Sequence, residues 1–218
     1  MKTCIKLILP FLIIIVFSSC TRTQMIEYWK NPEVDTLSLS KVLVIGMTPN
    51  VEARDKFEEL LTNEFEARGI DAVPSLDIFE PKFRIEGKTE KELKVIEDVL
   101  TANYYDAVIY TKVVGVENRR VFSEKYKEKK YLDIKFKDEY YNHREILENP
   151  NYYEEYKIYN AETSLYCICP TKDRELIWKG YIDIVDPKSI EETVNDYVNL
   201  LILALEEQQI ISKIKQKE

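Results

Sequence analysis

The side chains able to do chemistry in this 218-residue chain are sparse and mostly isolated. His143 is the one histidine, between Asn142 and Arg144. A serine hydrolase built on Ser75 or His143 would need a base beside its nucleophile and a strained strand-to-helix elbow, and the sequence offers no such elbow. His143 therefore reads as a surface residue. The carboxylate pairs Glu58/Glu59, Glu191/Glu192 and Glu206/Glu207 are adjacent on helical stretches. Neighbours on a helix point about 100° apart, so such pairs cannot converge on one substrate, and they read as solvated faces. The turn Gly46-Met47-Thr48-Pro49-Asn50 stands where a phosphate loop would, between a strand and a helix, but lacks the later Gly-Lys pair. Thr48, Asn50 and Arg54, with Ser75, still form a candidate ligand loop, because open α/β sheets place ligands at the carboxyl ends of their strands. Helix capping is the plainer account of Thr48 and Asn50. No catalytic residue, cofactor site or metal site is expected. Cys167 and Cys169 share one face of a strand-like run and lack further soft ligands, so they read as small buried hydrophobes.

Cys20 is different. Lys2 and Lys6 precede eleven apolar residues, 7–17, which are followed by Ser18, Ser19 and Cys20. Eleven residues rising 1.5 Å each fall well short of a hydrocarbon core of about 30 Å. The layout is that of a secretory signal peptide over residues 1–19. Phe17-Ser18-Ser19-Cys20 resembles the lipobox of bacterial lipoproteins, with Phe17 in place of the usual Leu or Val. That resemblance implies a diacylglyceryl thioether on Cys20 and cleavage before it, giving a membrane partner through a lipid anchor. Thr21 stands where an inner-membrane retention signal would carry Asp, and no acidic cluster follows. The expected address is the inner leaflet of the outer membrane, facing the periplasm.

Hydrophobic residues make up 45% of the chain and charged residues 32%, a composition suited to one globular domain. The formal net charge is −8, and the leader carries lysines but no acid, so the mature chain is more acidic still. A general nucleic-acid binder is normally basic, so that partner class is excluded.

The elements that would position these residues follow from periodicity. Residues 20–40 read as a lipidated cysteine and polar tether, interrupted by Tyr28-Trp29, and residues 41–212 as an α/β domain. Residues 41–46 are continuously apolar and close on Gly46, the mark of a strand buried on both faces. Asn50 caps a helix over 51–68 with Phe57, Leu60, Leu61 and Phe65 on one stripe. Residues 70–76 form a short strand, which Pro74 places at an edge, a bulge or a short pairing. Thr89 and Glu92 have capping-box spacing and open a second helix. A strand over 106–116, a strand pair over 158–168 and 176–185, and a helix opened by Ser189 complete the order, with residues 213–218 as a frayed tail. The expected fold is a single α/β domain with a mixed sheet of about five strands, β-α-β-α-β-β-β-α, and packed helices.

Residues 119–157 break the pattern. This excursion holds ten Lys/Arg and nine Asp/Glu in an otherwise acidic chain, and seven of the fifteen tyrosines: Tyr126, Tyr131, Tyr140, Tyr141, Tyr152, Tyr153 and Tyr156. Tyrosine supplies stiff contact area with a polar tip, so these residues are the candidate partner surface. The alternative is that they merely cover extended strands.

Residues 41–46, with Arg54, Phe57 and Glu58 behind them and then residues 69–75, resemble uncharacterised bacterial lipoproteins. These carry a small α/β domain similar to the amino-terminal domain of TolB and to the curli-secretion lipoprotein. The resemblance implies a periplasmic interaction or assembly module without catalytic residues. The sequence thus points to a non-enzymatic, membrane-anchored module binding an envelope protein or cell-wall glycan. A small-ligand domain using the loop after the first strand is the alternative.

Overall fold

The computed structural model describes residues 23–34, 38–79, 89–122, 135–138, 140–141, 144, 153–168 and 175–214. Cys20 and residues 213–218 beyond Ile214 fall outside this set, as do His143, Cys169 and the tyrosines Tyr126, Tyr131 and Tyr152.

The elements run β1 (Thr23–Lys30), β2 (Lys41–Met47), α1 (Val51–Glu66), β3 (Asp71–Pro74), α2 (Ser75–Ile78), α3 (Glu90–Ala102), β4 (Ala107–Phe122), β5 (Tyr153–Cys167), β6 (Leu176–Val185) and α4 (Ile190–Glu207). One mixed sheet has the order β1-β6-β5-β4-β2-β3. The expected α/β class and packed helices are present. The sheet has six strands where about five were expected, because Thr23–Lys30, read as tether, is an edge strand. It pairs antiparallel with β6, Thr23 opposite Ile184 and Lys30 opposite Trp178. Its burial does not alternate, since a strand at the sheet's rim has few neighbours to hide a face against. The folded domain therefore begins at least eighteen residues before Lys41. Tyr28 and Trp29 lie in this strand and stay about half exposed.

Alternation along β2 sorts the core. Val42 and Val44 face α1 and α4, joining Phe57, Leu61, Phe65, Leu201 and Leu205 in the main cluster. Leu43 faces the other way, with Leu100 of α3, Tyr105 and Ile168. That two-sided burial is why the strand reads as a continuous apolar run. β2 runs parallel to β3 and β4, and Pro74 sits in β3 at the sheet edge, where a missing N–H costs nothing. Both capping signals hold: Thr89 and Glu92 form a complete capping box, and Ser189 accepts from the Glu192 N–H.

β4 and β5 form the longest ladder, from Ala107 opposite Cys167 to Phe122 opposite Tyr153. β2 leaves β4 after Lys112, and β6 pairs with β5 only from Ile158 onward. From Val113 on β4 has no outer neighbour, and residues 118–122 and 153–157 continue as a two-stranded ribbon. The first and last parts of the tyrosine-rich excursion are strand, and Phe136 lies in helical backbone at 136–138. Cys167 is disulfide-bonded rather than a free buried thiol. Its partner cysteine lies outside the described residues.

Candidate functional site

The carboxyl end of β2 meets the first turn of α1 at a buried polar knot. Arg54, Phe57, Glu58, Leu61 and Phe65 fall on one helical face by their spacing, and all are buried. Two of those five are charged. Arg54 Nε donates to Glu58 Oε1 at 2.7 Å, and Arg54 Nη2 donates to Ser75 Oγ at 2.7 Å. The Ser75 hydroxyl lies 2.9 and 3.0 Å from the two Glu58 oxygens and donates to that carboxylate. The N–H groups of Gly46 and Leu76 complete the shell at 2.9 and 3.1 Å. A Cβ on residue 46 would sit 3.1 Å from Phe57 Cδ1 and 3.3 Å from Arg54 Cγ, so glycine is what lets α1 lie this close to β2.

This geometry corrects one expectation and narrows another. Glu58 is not on a solvated face; it is fully buried, because the i, i+4 pairing with Arg54 neutralises it inside the apolar stripe. Ser75 is buried too, with its proton held by a carboxylate and its oxygen covered by a guanidinium, so it is unavailable as a nucleophile. The knot ties β2, α1 and α2 together. The spacing of four between Arg54 and Glu58, in phase with Phe57 and Leu61, was the available signal. Glu206 also departs from a solvated face, since Arg68 Nη2 donates to it at 2.7 Å.

Beside the knot lies a cavity of about 550 Å³, between the first turns of α1 and α4 and over β4, β5 and β6. Of the candidate ligand loop, Thr48, Asn50 and Arg54 line it, while Ser75 does not and touches it only through Arg54. Asn50 also does the expected capping, accepting from the Ala53 N–H at 3.0 Å. The rest of the lining was not anticipated: Phe57 from α1, Val113 and Val116 from β4, Ile184 from β6, and Ile190, Val194 and Tyr197 from α4. These residues are far apart in sequence and meet only because the sheet order brings β4, β5 and β6 beneath both helices. The Tyr197 hydroxyl bonds Thr163 at 2.8 Å, and Thr163 bonds Thr111 at 2.6 Å. Burial pushes the Tyr197 hydroxyl far above the usual tyrosine range, against the opposing pull of the two threonines, so it stays neutral. Among the described residues, no three His, Cys, Asp or Glu side chains are grouped to hold a metal ion.

On the sheet's other face, Glu162 Oε1 takes Lys179 Nζ at 2.9 Å and Lys112 Nζ at 3.1 Å. Burial pushes the Glu162 carboxyl up, but the hydrogen bonds and charges of both lysines outweigh it and hold the carboxyl below its ordinary range. The bond to Glu162, opposed by burial, raises Lys179.

Four of the seven tyrosines expected to form a partner surface lie among the described residues. Tyr153 and Tyr156 stand in the ribbon opposite Phe122 and Arg119, and Arg120 lies over the Tyr153 ring at 5.7 Å. Tyr140 and Tyr141, both exposed, meet edge-on at 5.6 Å between ring centres. Tyr126, Tyr131 and Tyr152 lie outside the described residues. No helix among the described residues is long and apolar enough to cross a membrane.

The sequence matches no protein-family model and no curated protein. Solved structures with a similar chain path include two PelC dodecamers from Paraburkholderia phytofirmans. One, a point variant, is 12% identical with a TM-score of 0.43, covering 86% of this chain and 98% of that one. The other is 10% identical with a TM-score of 0.43, covering 86% and 97%. Lipoprotein GNA1162 from Neisseria meningitidis is 12% identical with a TM-score of 0.39, covering 78% and 96%. None of these three is of the TolB or curli-secretion type, and at such identity no residue role passes to this chain.

Proposed function

We propose that this chain is a lipid-anchored envelope lipoprotein that acts as a non-catalytic interaction module, docking an envelope protein along the β4–β5 ribbon. The observation that carries the reading is the ribbon itself. Beyond Lys112 and before Ile158 the two strands have only each other, which leaves a row of backbone donors and acceptors along each outer edge. Such an edge is a template for an added strand. Val114 and Val116 project from it about half exposed, and Val121 is a third exposed. The lipobox-like residues 17–20 supply the membrane attachment at Cys20, and the outer membrane's inner leaflet is the proposed site. The excursion's tyrosines support the same reading as part of the contact surface. Cell-wall glycan is the other occupant the surface chemistry admits.

A photocrosslinking residue at Val121 or Glu154 in the living cell tests this. One envelope protein captured at both positions, and not from Asp55 on α1, is the expected result. Crosslinks spread evenly over all three positions would sink the ribbon as a docking element. Labelling with a radioactive fatty acid, abolished by Cys20→Ser, tests the anchor separately.

A further inference from the structure

The cavity of about 550 Å³ between α1, α4 and the sheet has the size of a ligand pocket and a wall of Phe57, Val116, Ile184, Ile190 and Val194. The polar side chains around it are already engaged. Asn50 accepts from the Ala53 N–H, and Ser189 from the Glu192 N–H. Tyr197 bonds Thr163, Lys188 pairs with Asp186, and Arg54 is held by Glu58 and Ser75. The remaining Arg54 nitrogen, Nη1, is buried and closed off from the cavity. What this lining can still take up is hydrocarbon, since each methylene withdrawn from water favours burial about fourfold. The strand register says where hydrocarbon would come from. Thr23 stands opposite Ile184, Ile184 opposite Tyr159, and Tyr159 opposite Val116, so these residues form one row across the sheet. Ile184, Tyr159 and Val116 line the cavity, and Thr23, itself buried, is the next residue along the row. It therefore lies one strand spacing, about 4.8 Å, from the cavity floor. Cys20 precedes it by three residues, a reach of at most about 11 Å. An acyl chain spans about half of a bilayer's hydrocarbon core, roughly 15 Å, and so bridges that distance.

We propose that, while the protein is off the membrane, this cavity houses an acyl chain of the lipid on Cys20. The short connection to Thr23 makes the encounter intramolecular, at an effective concentration on the order of millimolar. Chain left in water gains by entering the cavity, whereas in a bilayer the same chain has the hydrocarbon core to enter and the cavity empties. The inference rests on the reading of Cys20 as a lipid-bearing residue and is independent of the ribbon as a docking element.

The chain begun at Cys20 and bearing no lipid is alkylated there, without reductant, by an iodoacetamide carrying a hexadecyl chain with a diazirine near its far end. Peptide mapping identifies the modified residue. Because the hydrocarbon is attached chemically, the result bears on the cavity whether or not the cell lipidates Cys20, which fatty-acid labelling tests on its own. Photolysis in dilute, detergent-free buffer is expected to place most adducts within one molecule, on Val116, Ile184, Ile190 and Val194. Added vesicles are expected to move the adducts from protein to lipid. Val116→Asp, at a half-exposed position that tolerates charge, sets a carboxylate against the hydrocarbon and is expected to lower cavity adducts at least about fivefold in a folded protein. The same reagent on Asn103→Cys in a Cys20→Ser chain, at the far end of the sheet, is expected to leave the cavity unlabelled. Adducts scattered over the surface or formed between molecules would overturn the proposal. So would cavity adducts that survive Val116→Asp, that persist undiminished in vesicles, or that form equally from Asn103.

Discussion

Arg54 and Glu58 hold each other in the core, so the two cannot be probed independently. Arg54→Ala strands a fully buried carboxylate, and breaking a buried pair from one side costs about 3–5 kcal/mol. The expected outcome in urea is a large drop in midpoint for Arg54→Ala. Arg54→Met combined with Glu58→Leu should recover most of it, since two apolar groups of similar size replace two charges. If the double variant were as unstable as the single one, the cost would lie in lost packing. Arg54→Ala is therefore a poor probe of ligand binding at this loop. The second charged group with a stability consequence is Glu162. Its folded carboxyl is held below the unfolded value, so it stabilises the fold above the unfolded carboxylate range, and that contribution is lost as pH falls through the folded value. Lys179 is raised, so its contribution is complete below the ordinary lysine range and is lost as pH rises through its folded value. Both act together between roughly pH 5 and 10. Urea midpoints measured against pH should show Glu162→Gln less stable than the parent at neutrality, with the gap closing on the acid side. A gap that stayed constant to pH 3 would contradict the assignment.

Elements show where sequence patterns inform and where they stop. The strands β2, β3 and β6 and the helices α1, α3 and α4 announce themselves by continuous apolar runs, stripes and caps, because each signal is local. The residues 41–46 and the Thr89–Glu92 box are read from a handful of neighbours. β1 is silent because its stabilisation comes from β6, some 150 residues away, and because Ile26, Tyr28 and Trp29 keep about half their surface. The cavity is silent for the same reason, its wall being drawn from α1, β4, β6 and α4 at once. A chain begun at Lys41 should therefore be damaged rather than merely untethered. It loses the whole β1–β6 ladder and the bond from Lys30 Nζ to the Gln208 carbonyl at 2.9 Å. Its melting midpoint is expected at least about 10 °C below that of a chain begun at Thr23, some 3 kcal/mol for a domain of this size. Equal midpoints would mean that β1 contributes no stability. β6 carries a sharper test. A Cβ at Gly180 would stand 2.2 Å from the tip of the fully buried Trp178 ring, which lies across the glycine. Gly180→Ala must push the indole off, and overpacking of this kind costs about 1–3 kcal/mol. Trp178→Leu in the Gly180→Ala background should cost less than the two changes summed, because the clash disappears with the ring. Additive losses would place the cost of Gly180→Ala in the backbone instead.

At the scale of the whole molecule, the strand directions put three features at one end. β2, β4 and β6 run the same way, and their carboxyl ends carry the cavity and launch the ribbon. β1 runs opposite to β6, so its first residue, Thr23, lies beside Ile184 at that same end. Cys20 precedes Thr23 by three residues, a reach of at most about 11 Å. The twenty-residue tether expected from the sequence would have let the domain hang in any orientation tens of ångströms from its anchor. A lipid on Cys20 instead brings the cavity end close to the bilayer. The prediction is a fixed polarity. In vesicles holding the lipidated chain, a fluorophore at Lys188→Cys, just past the end of β6, should be quenched by lipids spin-labelled near the headgroup. The same fluorophore at Asn103→Cys, ahead of the start of β4 and therefore at the far end of the sheet, should not be. Equal quenching at both positions would mean that the domain tumbles freely on its anchor. Quenching at Asn103 alone would invert the molecule, turning the ribbon and the cavity away from the membrane. In that case the ribbon would have to draw its partner from the aqueous space.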